Sequence, residues 1–513
     1  MTDNKKYRTG FEMNIGNPKQ RGGPDEANTV NPQSSSTGPF CMAILGDFSG
    51  RDNKQNYQQE TISKRRLFQL DRDNLDELLA GFNICLQLWL DDEADEPIDV
   101  PLSALDDFHP DQLYQNVEVF SQLRALRNRL KNNNTFADAA REMQSWPSLD
   151  SAQAASKQDK PASEPPPSIS GEGLLDSIFE ATRPGQPGSE GASGSTMIDS
   201  LVKQIVAPYV EAKADPRQDE MIAAVDQAVS AHMQFILHHP DFQALEAAWR
   251  SLDFLLRRVD TGQQIKLYIL DITKHELEID LNRDNVTHSA LYRRFADPAP
   301  GEVSWGLLLG NYHFTDRVED IMSLLQLGAV ARKAQAPFIT AANETLVGCE
   351  SFAVTPDVAD WNYPLRAEIE SAWSLLRQSD EAAHLAMVLP GFLLRTPYGK
   401  KSRPIESFAF EEMPAVHCHS CYLWGNGAFI KAEQMLKAFL KDAWNMDPLG
   451  ASQVDKLPLH YYTEDGETVA KPCAEIMLTE QGGRRILQNG LIPLWSVKNS
   501  DSIRSRDFNF LAI

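Results

Sequence analysis

No stretch of this 513-residue chain approaches the roughly 18 consecutive apolar residues that a membrane-spanning helix needs. Its start, Met1-Thr2-Asp3-Asn4-Lys5-Lys6, is polar and has no apolar core of an export signal, so a cytoplasmic protein without membrane insertion is expected. Cysteine is scarce: Cys41, Cys85, Cys349, Cys418, Cys421 and Cys473 are all there are. Most stand among apolar neighbours and read as buried thiols, and no disulfide framework is expected. Basic residues are outnumbered, 49 Lys and Arg against 72 Asp and Glu, for a formal net charge of −23. A surface that negative repels phosphates, which argues against nucleic-acid binding but not against a basic partner or self-assembly through complementary patches. Also missing are GxxxxGK[ST], a GxGxxG opening a helix, HExxH and GxSxG. The expectation is a protein with no catalytic residues and no cofactor.

What is present is most concentrated in His238-His239-Pro240-Asp241-Phe242-Gln243-Ala244-Leu245-Glu246-Ala247-Ala248-Trp249-Arg250-Ser251-Leu252. Pro240 suits the first turn of a helix, and Asp241 puts a carboxylate near its N-terminus. Phe242, Leu245, Trp249 and Leu252 then share one helical face, which predicts a stripe buried against another element.

The rest of the chain divides by composition. Residues 1–37 are polar, with one alternating segment, Phe11 to Ile15. Its Phe11, Met13 and Ile15 predict a strand that adds to another chain's sheet, unless the arm is disordered. Residues 38–145 read as a compact unit. It has an apolar strand at Phe40 to Leu45, a helix from Asn74 to Phe82 capped by Asp73 or Asn74, and a strand from Ile84 to Leu90. A long amphipathic helix carries Leu113, Val117, Phe120, Leu123, Leu126 and Leu130. Residues 146–197 form a linker rich in Pro, Ser and Gly, too polar to bury a core. Inside it, Leu174, Leu175, Ile178 and Phe179 make one apolar face over 174–183, either a docking helix for a partner or a helix folded back on its own chain.

Residues 198–513 alternate helices and strands. Strands are expected at Ile265–Asp271, Trp305–Gly310, Pro337–Ala341 and Ala386–Pro390. A helix is expected from Thr273, with Glu276 completing a capping box, and others at 321–334 and within 422–443. This alternation predicts α/β architecture of mixed α+β character.

Two constellations invite a chemical reading. His417-Cys418-His419-Ser420-Cys421 carries a CxxC flanked by histidines. A tetrahedral zinc site would need a second ligand pair, from Cys349 or Cys473, and a plain loop is the simpler reading. A metal- or cysteine-dependent enzyme built on Cys418, His419 and Cys421 is the rival it raises. Asp106-Asp107, Glu411-Glu412 and Asp91-Asp92-Glu93 are paired carboxylates, which solvated faces explain in so acidic a chain.

The 238–252 run resembles a signature of the large contractile-sheath subunit of bacterial type VI secretion systems. Further pieces follow in that family's order. They include Leu174 to Ile178, Ile265 to Leu277, Trp305 to Tyr312, Ala336 to Ile339, Leu389 to Gly399, Tyr422 to Phe429, Leu457 to Tyr461 and Gly490 to Leu494. Upstream, Leu45-Gly46-Asp47-Phe48-Ser49-Gly50-Arg51, Asp71 to Asp76 and Leu105-Asp106-Asp107-Phe108-His109-Pro110-Asp111 resemble the small sheath subunit. The resemblance implies a two-part fusion: a small-subunit-like domain, a flexible linker and a larger α/β domain. It implies a structural sheath component without catalysis, with sheath subunits, inner-tube and baseplate proteins and a hexameric sheath-recycling ATPase as partners. Leu174, Leu175, Ile178 and Phe179 would be the ATPase's helix, and Phe11 to Ile15 the exchanged strand.

Two departures qualify it. Gly391 stands where the family usually has Arg, which predicts a missing charge contact. The chain stops at Ile513, before the family's C-terminal exchange segment. That raises the alternative of an accessory that initiates, caps or links the sheath to the baseplate; a separate rival is an adaptor that only presents the 174–183 helix to the recycling ATPase.

Overall fold

The computed structural model describes residues 38–57, 59–89, 96–144, 217–283, 285–297, 303–414, 418–446, 452–464, 466–505 and 510–512. The first strand, β1 (Phe40–Gly46), is buried along its whole length, as its unbroken apolar sequence predicts. It is followed by β2 (Phe68–Leu70), α1 (Leu75–Gly81) and the hairpin β3 (Ile84–Leu88) and β4 (Ile98–Leu102). Three helices close this segment: α2 (Pro110–Asn116), α3 (Val119–Lys131) and α4 (Phe136–Gln144).

The second segment opens with two long helices, α5 (Gln218–His238) and α6 (Pro240–Arg258). Next come β5 (Ile265–Asp271), α7 (Lys274–Leu281), α8 (Ala290–Phe295), β6 (Trp305–Phe314), α9 (Val318–Ala334) and β7 (Phe338–Ala342). Then follow α10 (Ala367–Gln378), β8 (Leu385–Leu389), and the short pair β9 (Phe392–Leu393) and β10 (Trp424–Gly425). After α11 (Ala428–Asp442) come β11 (Ser452–Val454), the hairpin β12 (His460–Glu464) and β13 (Glu467–Lys471), and α12 (Glu480–Gln488). β14 (Ile492–Pro493), β15 (Trp495–Ser496) and β16 (Ile503–Ser505) complete the described elements.

The principal sheet has the order β14-β8-β7-β6-β1-β5-β2. All its pairings are parallel except β2 with β5. β1 lies near its middle, with β5 along one edge in an unbroken register from Phe40–Ile265 to Gly46–Asp271, and β6 along the other. The two segments therefore share one sheet rather than folding around separate ones. Alternate β1 side chains feed two cores. Phe40, Met42 and Ile44 join Leu267 and Ile269 on one face, together with residues of α3, α5, α6 and α11. Cys41, Ala43 and Leu45 face the other core, packed with residues of α7, α9, α10 and α12. The result is an α/β sandwich of three layers, as the alternation of elements predicts.

Several local expectations hold to the residue. Thr273 caps α7, its side chain accepting from the Glu276 N–H while the Glu276 carboxylate accepts from the Thr273 N–H. Others need correction. The long helix expected through Leu113–Leu130 is two helices, because Val117 takes an extended conformation between them. Its apolar periodicity survives the break, since Val117 and Phe120 are both buried, so the pattern alone did not reveal it. Asn74 starts α1 but does not cap it with its side chain, which instead accepts from the Asp71 N–H and donates to the Gln69 carbonyl. The strand expected to Leu90 ends at Leu88.

Candidate functional site

The most informative helix, α6, starts on an unexpected cap. His239 Nδ1 accepts from the Asp241 N–H at 3.3 Å, with Pro240 at the first helical position. The same device starts α2, where His109 Nδ1 accepts from the Asp111 N–H ahead of Pro110. Both follow from a His-Pro-Asp triplet: proline contributes no donor to the first turn, and the preceding imidazole satisfies the next one. Phe242, Leu245, Trp249 and Leu252 are buried together, as their spacing predicts.

Between those apolar residues α6 also buries a charge. Glu246 is fully enclosed, accepting from Arg250 Nε at 2.6 Å and from Arg395 Nε at 2.8 Å. Arg395 is 4 % exposed and also donates to Glu412 Oε2 at 2.7 Å and Oε1 at 2.9 Å. Glu412 further accepts from the Tyr398 N–H at 2.6 Å. Burial works to neutralise Glu246 and Arg395, but their mutual attraction wins: Glu246 is held below the usual carboxylate range, and Arg395 stays protonated. The Arg395 guanidinium lies over the Tyr398 ring at 4.5 Å, and His109 meets the same ring edge-on at 4.9 Å.

A second network lies past the ends of β1 and β5. Asp271 Oδ1 accepts from the Phe48 N–H at 2.8 Å, and Arg51 bridges Asp271 and Glu276. Arg65 Nη1 joins Glu276 at 2.7 Å. Asp47 ties the turn by accepting from the Arg51 and Asp52 N–H groups, while burial, and then Asp271, push its carboxyl up to about 6. Trp249 Nε1 donates to the Phe48 carbonyl at 2.9 Å and so links the two networks. The segments 45–51, 105–111, 238–252 and 389–399, which stand far apart in the chain, thus converge on one junction.

Chemically, this junction holds. Arg250 and Arg395 face Glu246 and Glu412, so opposite charges are matched, and each carboxylate is occupied by donors. Sequence reasoning missed Glu246, Arg250 and Arg395 as a charge cluster, and its reading of Glu412 as part of a solvated face is corrected by that side chain's complete burial. The available signal was a lone charge inside an apolar run, Glu246 between Leu245 and Trp249 and Arg395 within Phe392-Leu393-Leu394-Arg395-Thr396.

The paired carboxylates separate in function. Asp107 accepts from the N–H groups of Ser103 and Ala104, whereas Asp106 lines a cavity of about 330 Å³ with His109, Asp111 and Glu406. Glu411 accepts from the Lys400 N–H on the surface, while Glu412 is the buried partner of Arg395. Asp91, Asp92 and Glu93 lie outside the described residues, as do Phe11, Met13, Ile15, Leu174, Leu175, Ile178, Phe179 and His417. Cys418 and Cys421 share one turn, but His419 stacks on Trp424 and lies 3.2 Å from Lys471 Nζ, and Cys473 bonds the Pro458 and Ser500 carbonyls. Among the described residues, no three His, Cys, Asp or Glu side chains stand together as a metal site would require.

At Gly391 the backbone N–H donates to Glu475 Oε2 at 2.7 Å. A Cβ there would come within 2.7 Å of the Gly425 carbonyl and 3.2 Å of the Glu475 carboxylate. Burial pushes the Glu475 carboxyl up to about 7, with Glu344 adding to it and the Gly391 N–H and Lys471 opposing it. Gly391 thus faces a carboxylate with no arginine beside it on the chain.

Residues 219–506 match the VipB (EvpB) family, tail sheath N-terminal domain. Residues 26–146 match the type VI secretion system VipA family. The type VI secretion system sheath protein TssC1 of Pseudomonas aeruginosa is 31% identical over 293 residues, 55% of this chain and 59% of that protein. Sheath protein TssB1 of the same organism is 27% identical over 106 residues, 20% of this chain and 59% of that protein. The chain thus spans 59% of the length of each of these curated relatives.

Proposed function

From a chain that belongs to the type VI secretion tail-sheath family, joining a small-sheath and a large-sheath segment, we propose a one-chain building block of a contractile sheath. The observation that carries this reading is β1. A strand of the small-sheath segment pairs on both edges with strands of the large-sheath segment, so the fusion unites parts that belong to one folded unit. In this role the protein does mechanical rather than catalytic work, and the matched buried charges at the junction suit a rigid block better than proton transfer. The sheath would assemble around an inner tube and contact a baseplate, and the 174–183 segment would be the handle for a hexameric recycling ATPase. Phe11, Met13 and Ile15 would add a strand to a neighbour, since main-chain hydrogen bonds make such a joint strong and repeatable. Among the described residues no helix is long and apolar enough to cross a membrane. A cytoplasmic location is part of the same proposal.

Electron microscopy of the purified chain, alone and mixed with a complete sheath pair from the same cell, tests this directly. Tubes formed by the chain, or its incorporation along the walls of the mixed sheath, are expected. Binding confined to sheath ends would replace the building block with a cap or initiator, and no association at all would remove the sheath role.

A further inference from the structure

The CxxC segment is not absorbed by the sheath reading. It lies in the turn 418–422, closed by the Tyr422 N–H donating to the His419 carbonyl, just before β10. Its two cysteines are not equivalent. Cys421 is 7 % exposed, whereas Cys418 is half-buried and reachable from solvent. The Cys418 sulfur lies 3.2 Å from the Ser420 hydroxyl, inside the turn that also carries the Cys421 thiol and the Ser420 and Cys421 N–H groups. A sulfur that accepts several hydrogen bonds is stabilised as the thiolate, and those bonds outweigh burial to hold the Cys418 thiol below its ordinary range. The remaining cysteines lack this arrangement: burial raises Cys41, Cys85, Cys349 and Cys473.

We propose that Cys418 and Cys421 form a reversible thiol–disulfide pair, with Cys418 the attacking sulfur, Cys421 the resolving one and a peroxide the oxidant. The Cys418 thiolate attacks one peroxide oxygen, the O–O bond breaks, and the leaving hydroxide takes a proton to become water. Cys418 is then a sulfenic acid. Cys421, three residues on in the same turn, attacks that sulfur. The S–O bond breaks, the Cys421 proton leaves with the oxygen as a second water, and the S–S bond forms. Two thiols are oxidised by two electrons and one peroxide is reduced. A small dithiol reverses the bond by exchange. The turn is well placed to register the change: the Ser420 carbonyl accepts from Gln243 in the first turn of α6 at 3.0 Å, and the His419 carbonyl accepts from Trp424 Nε1 at 3.1 Å.

The test is an equimolar hydrogen peroxide titration of the full-length protein, read by intact mass and peptide mapping. The expected result is a loss of two hydrogens per chain, a peptide joining residues 418 and 421, and full reversal by dithiothreitol. Without oxidant, iodoacetamide should label Cys418 about tenfold faster than the half-buried Cys85. In Cys421→Ser, dimedone should trap the sulfenic acid at Cys418. Oxygen added to Cys418 without the cross-link would overturn the pair, as would equal labelling of Cys418 and Cys85 or a stoichiometric metal shielding both thiols. Should Cys421→Ser fail to fold, mapping of the unmodified sequence decides alone.

Discussion

Glu475 shows how much one side chain can alter the pH response. Its carboxyl is pushed up from 4.5 to about 7, so the folded protein binds a proton there that the unfolded chain has released. Between those values the native state holds more protons, and linkage makes its stability fall as pH rises. Replacing Glu475 with Gln keeps the acceptor for the Gly391 N–H in size and removes the charge. The variant should lose this contribution to the slope between about pH 4.5 and 7 and be more stable than the parent above pH 7. Urea melts of both proteins across that range check it, and parallel pH profiles would refute it. No reading of residues 389–391 alone could reveal the under-compensated carboxylate that Gly391 meets.

At the scale of elements, α6 and the 390–412 segment are joined by Arg395 between Glu246 and Glu412. A buried ion pair adds little over a well-packed apolar substitute, but removing one partner strands the others. Arg395→Met should cost about 3–5 kcal/mol, because it leaves buried Glu412 without its guanidinium and Glu246 with Arg250 alone. The triple change with Glu246→Gln and Glu412→Gln should recover a large part of that loss. Denaturant unfolding measures both, and an additive triple variant would exclude coupling through this cluster. Elements also differ in how legible they were. The Thr273–Glu276 capping box and the Phe242–Trp249 stripe were plain, because each depends on neighbours within a few residues. The break at Val117 was not, because the residues on either side keep the same helical periodicity.

For the whole molecule, the two segments are held together by direct contacts between them. β1 lies between β5 and β6, and Arg127 of α3 makes a bidentate pair with Asp226 of α5 at 2.5 and 3.0 Å. Gln218 Nε2 adds a bond to the Leu130 carbonyl at 2.7 Å. A chain cut within 146–197 and produced as two co-expressed pieces should therefore copurify as a pair. The front piece made alone should aggregate or stay unfolded, because β1 would expose both edges and both apolar faces. Two pieces that each fold and stay apart, as judged by gel filtration and hydrogen exchange, would contradict the shared sheet.

By itself the sequence determined what local and compositional physics controls. It settled the α/β alternation, the buried character of β1, the cap of α7, the apolar face of α6 and the family to which the motifs belong. Each rests on residues within one or two turns, or on a composition that forbids other answers. The tertiary structure decided which distant segments meet. It put β1 between strands more than 200 residues away, and set Glu246, Arg395 and Glu412 against one another. It also laid the Arg395 guanidinium and the His109 ring against Tyr398, and tied the Phe48 carbonyl to Trp249. Those outcomes depend on burial and on partners supplied by remote chain. A charge in an apolar run announces that it must be paired, but only the fold supplies the pair.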